Sequence, residues 1–100
     1  MSRDAPRRYL VAYDVGDDRR RERVAKRLSS YGDRIQFSVF IVDARPAKIV
    51  RLTVALSRLI DVGIDSILFC DLGPLSSDPA TRFEFLGQRR RVTSDGILVV

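Results

Sequence analysis

The chain has no histidine and one cysteine, which leaves carboxylates, tyrosines, arginines and hydroxyls to carry any chemistry. Among the carboxylates Asp14 stands apart. It ends Tyr9 to Val15 (YLVAYDV), a β-branched and aromatic run that follows Pro6 and stops at Gly16, which predicts a strand. Period-2 alternation puts Leu10, Ala12 and Asp14 on one face, with Tyr9, Val11, Tyr13 and Val15 on the other. A charge at the end of an otherwise apolar strand costs several kcal/mol unless it is paired, exposed or holding a metal. Asp14 therefore needs a reason to be there: a strand-end bond to nearby backbone or to an arginine, exposure to solvent, or a metal. Cys70 lies in an apolar run and is expected to be a small buried hydrophobe. Alone, it can form neither an intrachain disulfide nor a cysteine zinc site.

Net charge is +5, and 16 of the 18 basic residues are arginine. The planar guanidinium grips phosphate bidentately and stacks on bases, so such a surface suits a nucleic-acid partner. Solvated helix faces and a GC-rich codon bias would leave the same mark. No run approaches the length of a membrane span and the first residues lack the apolar core of a signal peptide, so a cytoplasmic protein with no membrane partner is expected.

The elements that must position Asp14 follow in order. Asp17 and Asp18 are N-cap candidates for a helix with Val24, Ala25, Leu28 and Tyr31 on its apolar stripe, closed by Gly32. Its other face holds Arg19, Arg20, Arg23, Lys26 and Arg27. Arg34 to Val42 is strand-like, with Ile35, Phe37, Val39 and Ile41 alternating against Gln36, Ser38, Phe40 and Val42, and a bend near Gln36 and Ser38 would split it in two. Pro46 opens a second helix through about Val62, with Ile49, Leu52, Thr53, Leu56, Leu59 and Ile60 as its core stripe and Gly63 after its end. Ser66 to Leu72 reads as a buried strand, Leu75 to Thr81 as a loop, and Arg82 to Leu86 as an edge strand. The apolar tail Ile97 to Val100, set off by Arg89, Arg90 and Arg91, is expected to pair with a neighbouring chain's sheet edge.

This order is that of a ferredoxin-like β-α-β-β-α-β sandwich, an α+β fold with both helices on one sheet face. A single domain over 1–100 is expected, with a core at about 8–87 and a docking tail at about 88–100. Apolar residues on both faces of the first strand call for a cover on the second face, so a homodimer packed sheet on sheet, with the C-terminal strand exchanged, is expected.

YDV at 13–15, DDxxRxRVAxxLxxYG across 17–32 and DRIQFSVF at 33–40 together resemble the small subunit of the CRISPR spacer-acquisition complex. This is the second universal CRISPR-associated protein, described as a metal-dependent endonuclease family; the likeness is dense over the first 42 residues and continues through RFEFLG. The resemblance implies a dimer in which Asp14 of each protomer faces its copy across the two-fold axis and shares a Mg2+ or Mn2+ ion. It implies phosphate contacts for Arg21, Arg23 and Arg34, orientation of water or backbone by Tyr13 and Ser38, and packing or stacking by Phe40. Where the family often has a glutamate after SVF, this chain has Ile41. Three functions are consistent with it: a nuclease cutting RNA or DNA, a non-catalytic DNA-binding scaffold between copies of the larger integrase subunit, or a related toxin-type ribonuclease.

Overall fold

The computed structural model describes residues 4–75 and 83–88 with their side chains, and the backbone of 91–92 and 98–99. β1 (Arg7–Asp14) leads through a short loop into α1 (Asp18–Ser29), and β2 (Asp33–Gln36) and β3 (Val39–Ala44) follow as a hairpin. α2 (Pro46–Ser57) then crosses back to β4 (Ser66–Pro74), and β5 (Arg91–Val92) and β6 (Leu98–Val99) come last. The main sheet has the order β2-β3-β1-β4 and is antiparallel throughout, the ferredoxin-like arrangement expected from the order of elements. Among the described residues, no helix is long and apolar enough to cross a membrane.

Local chemistry sets the helix starts. The Asp17 carboxylate accepts the Arg20 amide at 2.9 Å and caps α1, satisfying one of the donors that a helix N-terminus leaves open. α2 opens on Pro46, whose missing N–H costs nothing at that position. The helix-facing side of β1 packs Tyr9, Val11 and Tyr13 against Val24 and Leu28 of α1, Phe40 and Val42 of β3, and Leu52 and Leu56 of α2. Burying a side chain of this size contributes roughly 1.5–3 kcal/mol. This core fixes the direction of β1 and therefore the place of Asp14.

The long strand predicted over 34–42 is split by a turn at 37–38, with a register shift between Arg34 and Gln36. Phe37 leaves the apolar alternation and stands exposed at the turn. Gly32 closes the α1 exit for a different reason from the one expected. Positive φ occurs only at Gly73 and Gly87 among the described residues, so Gly32 is not a left-handed cap. A Cβ on it would stand 2.1 Å from the Ile41 carbonyl oxygen, so the turn needs glycine to let two backbones touch.

α2 is shorter than its periodicity suggested. It ends at Ser57 instead of near Val62, and Gly63 lies inside the following turn. The Arg58 amide turns back to the Ala55 carbonyl at 3.3 Å, and Asp61 then accepts the Gly63 amide through its side chain at 3.0 Å, a local bond that shapes the turn. Leu59 and Ile60 still pack on the core from the turn. Thr53 is not core. It is exposed and returns its hydroxyl to the Ile49 carbonyl at 2.9 Å.

The other sheet face is partly covered from within the chain. Ile35 and Ile41 are buried beneath Phe83 and Phe85, with Leu10, Val39 and Leu72 around them. The segment 83–85 alternates inward and outward as predicted but pairs with no strand, so the expected edge strand is an unpaired strap over the sheet. The expectation for Cys70 also fails: it is exposed, because it pairs with Leu10 on this second face, on the β4 side beside exposed Leu68. Arg8 is buried at the same face and held by Asp43 through two hydrogen bonds of 2.6 Å, Nε to Oδ1 and Nη2 to Oδ2. Burial and the nearby Asp43 carboxylate together push the Asp33 carboxyl above its ordinary value.

In the single chain β6 pairs with β5, Arg91 opposite Val99 and Val92 opposite Leu98. Arg89, Arg90 and most of the loop expected at 75–81 lie outside the described residues.

Candidate functional site

Two sets of side chains meet at the end of β1, on opposite faces of the sheet. Asp14 is the last residue of the strand and is exposed, with Ser66 opposite it on β4. Its side chain makes no hydrogen bond or ion pair with any described residue, so among those residues it has neither the backbone bond nor the arginine of the strand-end alternative. Tyr13, one residue earlier, turns to the helix side and is buried.

The Tyr13 hydroxyl donates to the Phe37 carbonyl at 3.2 Å and accepts from Arg34 Nη2 at 3.2 Å. The Tyr13 amide donates to the Ser38 carbonyl at 3.0 Å, which ties the β2–β3 turn to the residue before Asp14. Arg34 lies over two rings, its Cζ 5.1 Å from the Phe40 centroid and 5.9 Å from that of Phe37. Phe40 is itself fully buried and packs against Tyr13 at a centroid distance of 6.2 Å. It supports the arginine from below and offers no free face to a ligand.

Arg21 binds the strand exit: its Nη1 donates to the carbonyls of Val15 at 3.2 Å and Gly16 at 3.4 Å, while Nη2 pairs with Asp18. Arg21, Arg34, Lys26 and Phe37 border one groove of about 500 Å³ between α1 and β2. Arg23 does not join them. It lies with Lys26, Arg27 and Ser30 along a neighbouring depression that reaches Leu59. The structure thus brings Tyr13, Arg21, Arg34, Phe40 and the Ser38 backbone together, and leaves Asp14 and Arg23 on separate surfaces.

The sequence reading missed a buried acid that holds the loop after Asp14. Asp65, whose side chain is 1% exposed, accepts from Arg20 Nε at 2.7 Å and Nη2 at 3.3 Å, and from the Asp61 amide at 2.9 Å. It also takes the Gly16 amide. The Arg20 hydrogen bond, followed by the backbone bond from Asp61, holds the Asp65 carboxyl below its ordinary value and raises that of Arg20. The signal available was weak: an aspartate just before a strand, 45 residues from an arginine that read as one of a solvated row.

A depressed acid stabilises the fold above its unfolded pKa of about 4, and that stability is lost as pH falls through the lower folded value. Asp65→Asn should therefore lower Tm most at neutral pH, with the gap to the parent protein closing as pH drops from about 5 toward 2. Thermal melts across that range check it, and a gap independent of pH would show that the charge of Asp65 is not what holds the loop.

Ile41 is 1% exposed, directly opposite Leu10 and under the Phe83 and Phe85 strap. The position at which the resemblance led one to look for a glutamate is therefore core. Among the described residues of one chain, no three histidine, cysteine, aspartate or glutamate side chains gather as a metal cluster.

A family model described as CRISPR associated protein Cas2 matches residues 7–76. The chain is 34% identical over 92 residues to a CRISPR-associated endoribonuclease Cas2 of Synechocystis sp., covering 92% of this chain and 97% of that protein. It is 38% identical over 96 residues to one from Rhodospirillum rubrum, covering 91% of this chain and 98% of that protein. Among solved structures, Streptococcus pyogenes Cas2 at pH 6.5 superposes with a TM-score of 0.71 at 38% identity, over 80% of this chain and 99% of that one. A hypothetical protein from Thermus thermophilus gives 0.69 at 36% identity, over 84% and 94%. From β1 to the end of β4, in sequence and in architecture alike, this chain belongs to the Cas2 family of CRISPR-associated proteins.

Proposed function

We propose that this chain acts in CRISPR adaptation as a metal-dependent nuclease, working as a homodimer beside a larger integrase subunit. One observation carries the reading: Asp14 stands exposed and without a partner among the described residues at the end of β1, in a chain whose relatives are named endoribonucleases. Magnesium and manganese fit such a group, because a hard ion that keeps several waters often takes only one or two protein carboxylates. Among the described residues of one chain no three metal-ligating side chains gather, so a second copy of Asp14 across a two-fold axis would complete the ligand set. Bound there, the ion would acidify a water and offset charge on the scissile phosphate. The protein's own part is positional: Tyr13 sets Arg34, Arg21 braces the strand exit, and the Ser38 backbone locks the turn beside them.

Chelation is the direct test. Cleavage of RNA or DNA by a preparation free of host nuclease should stop with EDTA and return with Mg2+ or Mn2+, and cleavage that continues under chelation rules out the metal-dependent reading.

A scaffold role is the second reading, favoured by the arginine-rich outer face of α1 and by the buried Ile41. It predicts duplex binding that survives chelation and weakens steeply with salt, because phosphate contacts release counterions.

A further inference from the structure

We propose that the β2–β3 turn carries a stacking subsite for an unpaired nucleobase, with Phe37 as its platform and the groove beside α1 as the path of the flanking strand. The inference rests on the nucleic-acid reading above and specifies its ligand as single-stranded.

Phe37 is 70% exposed although its strand neighbours Ile35 and Val39 pack against the sheet. A lone exposed aromatic ring is ordinary on a protein surface. This one is built in. Its carbonyl is held by the Tyr13 hydroxyl, the same hydroxyl accepts from Arg34, and the Arg34 guanidinium reaches toward the Phe37 ring from over buried Phe40. With the turn backbone and the guanidinium fixed this way, only the two side-chain torsions of Phe37 remain to be ordered on binding, which favours a stacking platform.

The adjoining groove argues for a nucleoside over a bare run of phosphates. Arg21, Lys26 and Arg34 border it as cations, but Glu22 and Asp18 border it too. Asp18 is taken up by Arg21. Glu22 would repel a phosphate and would accept from a base amine or a ribose hydroxyl. Cations for the backbone, an acceptor for sugar or base edge, and an aromatic face for the ring make up the recognition set for unpaired strands. Within a duplex, away from its ends, no base face is free to meet Phe37.

The experiment uses the full chain and two fluorescent probes, an oligouridine of about 12 nucleotides and an abasic strand of equal length and charge. Phe37→Ala should weaken oligouridine binding on the order of 10-fold while leaving the abasic strand and the salt slope unchanged, and Phe37→Trp should bind oligouridine at least as well as the parent protein. Equal loss on both probes, or no loss on either, overturns the subsite. So does a change of oligomeric state in Phe37→Ala by sedimentation, which would assign the ring to an interface. If the parent protein binds neither probe, the single-stranded ligand falls and takes the subsite with it, and failure of a duplex of equal length to bind as well brings down the nucleic-acid reading itself; a parent that binds with Phe37→Ala unaffected removes the subsite alone.

Discussion

Replacing Asp14 with asparagine should abolish metal-dependent cleavage while leaving the protein folded and still able to bind nucleic acid. The expectation of a normal fold comes from the surroundings of the residue. Asp14 is exposed and holds no described partner, so removing its charge strands no buried donor and opens no cavity. Asparagine keeps the shape and gives up the anionic oxygen a hard cation needs. Groups that merely orient metal ligands are worth about 10–100-fold, so loss of a direct ligand should cost on the order of 100-fold or more in rate. In the dimeric site proposed above both copies of Asp14 would change at once, so added metal should not rescue it. Circular dichroism and thermal melting should match the parent protein, with Tm moved by no more than a degree or two, as is usual for a surface substitution. Parent-like cleavage by Asp14→Asn would remove the hydrolytic proposal and leave the cationic scaffold.

The second large effect is on folding. Gly32→Ala should be among the most destabilising single-methyl changes in the chain, at about 3 kcal/mol or more. The added carbon would stand 2.1 Å from the Ile41 carbonyl oxygen and 2.9 Å from its carbon, and both are backbone, so neither can swing aside. Relief requires parting the α1 exit from β3. That movement would also loosen Ile41 under its strap and break the seating of Leu28, whose carbonyl accepts the Gly32 amide at 2.9 Å. Gly16→Ala is the control: nothing lies within 4 Å of its would-be Cβ, so it should change stability little. Chemical denaturation of the two variants side by side checks the claim, and similar midpoints would mean that the close approach at Gly32 relaxes at little cost.

Much of this molecule was legible before its coordinates. The odd charge on β1, the capping aspartate of α1, the proline opening α2 and the split of the long strand are local signals, set by neighbours within a few residues, and the structure repeats them. Departures arise where distant chain segments decide the outcome. Gly32 looked like a helix stop and is a contact between backbones that a sequence does not juxtapose. The periodic stripe of α2 ran through Leu59 and Ile60, which do reach the core, but from the turn that begins at Arg58, whose amide already bonds back to the Ala55 carbonyl. Cys70 followed the rule for apolar runs, yet half of β4 faces away from the helices, and exposure there depends on what covers the second sheet face. The alternation in RFEFL is real and records Phe83 and Phe85 pointing at the sheet, without the ladder that would make it a strand.

Of the candidate residues, the family resemblance grouped Tyr13, Arg21, Arg23, Arg34, Ser38 and Phe40 with Asp14. The pleat of β1 separates them. Consecutive residues must face opposite ways, so Tyr13 and its arginine belong to the helix side and Asp14 to the other. Phe37 was overlooked because it fitted the apolar alternation of an unbroken strand. The turn at 37–38 releases it into solvent.

The strap across the second sheet face has a bearing on self-association. A twin molecule approaching this face would not meet a bare oily plane, since Phe83 and Phe85 already occupy the patch around Ile41. Among the described residues, the sheet there leaves exposed the flank with Leu68, 59% exposed, and Cys70, and the strap itself carries exposed Leu86. Desolvating so narrow a strip yields little attraction, so a lasting pair would need contributions from beyond it, either backbone pairing at a strand margin or lifting of the strap to bare the ground beneath. In the second case the two phenylalanines would act as a latch, and loosening them would tighten the pair.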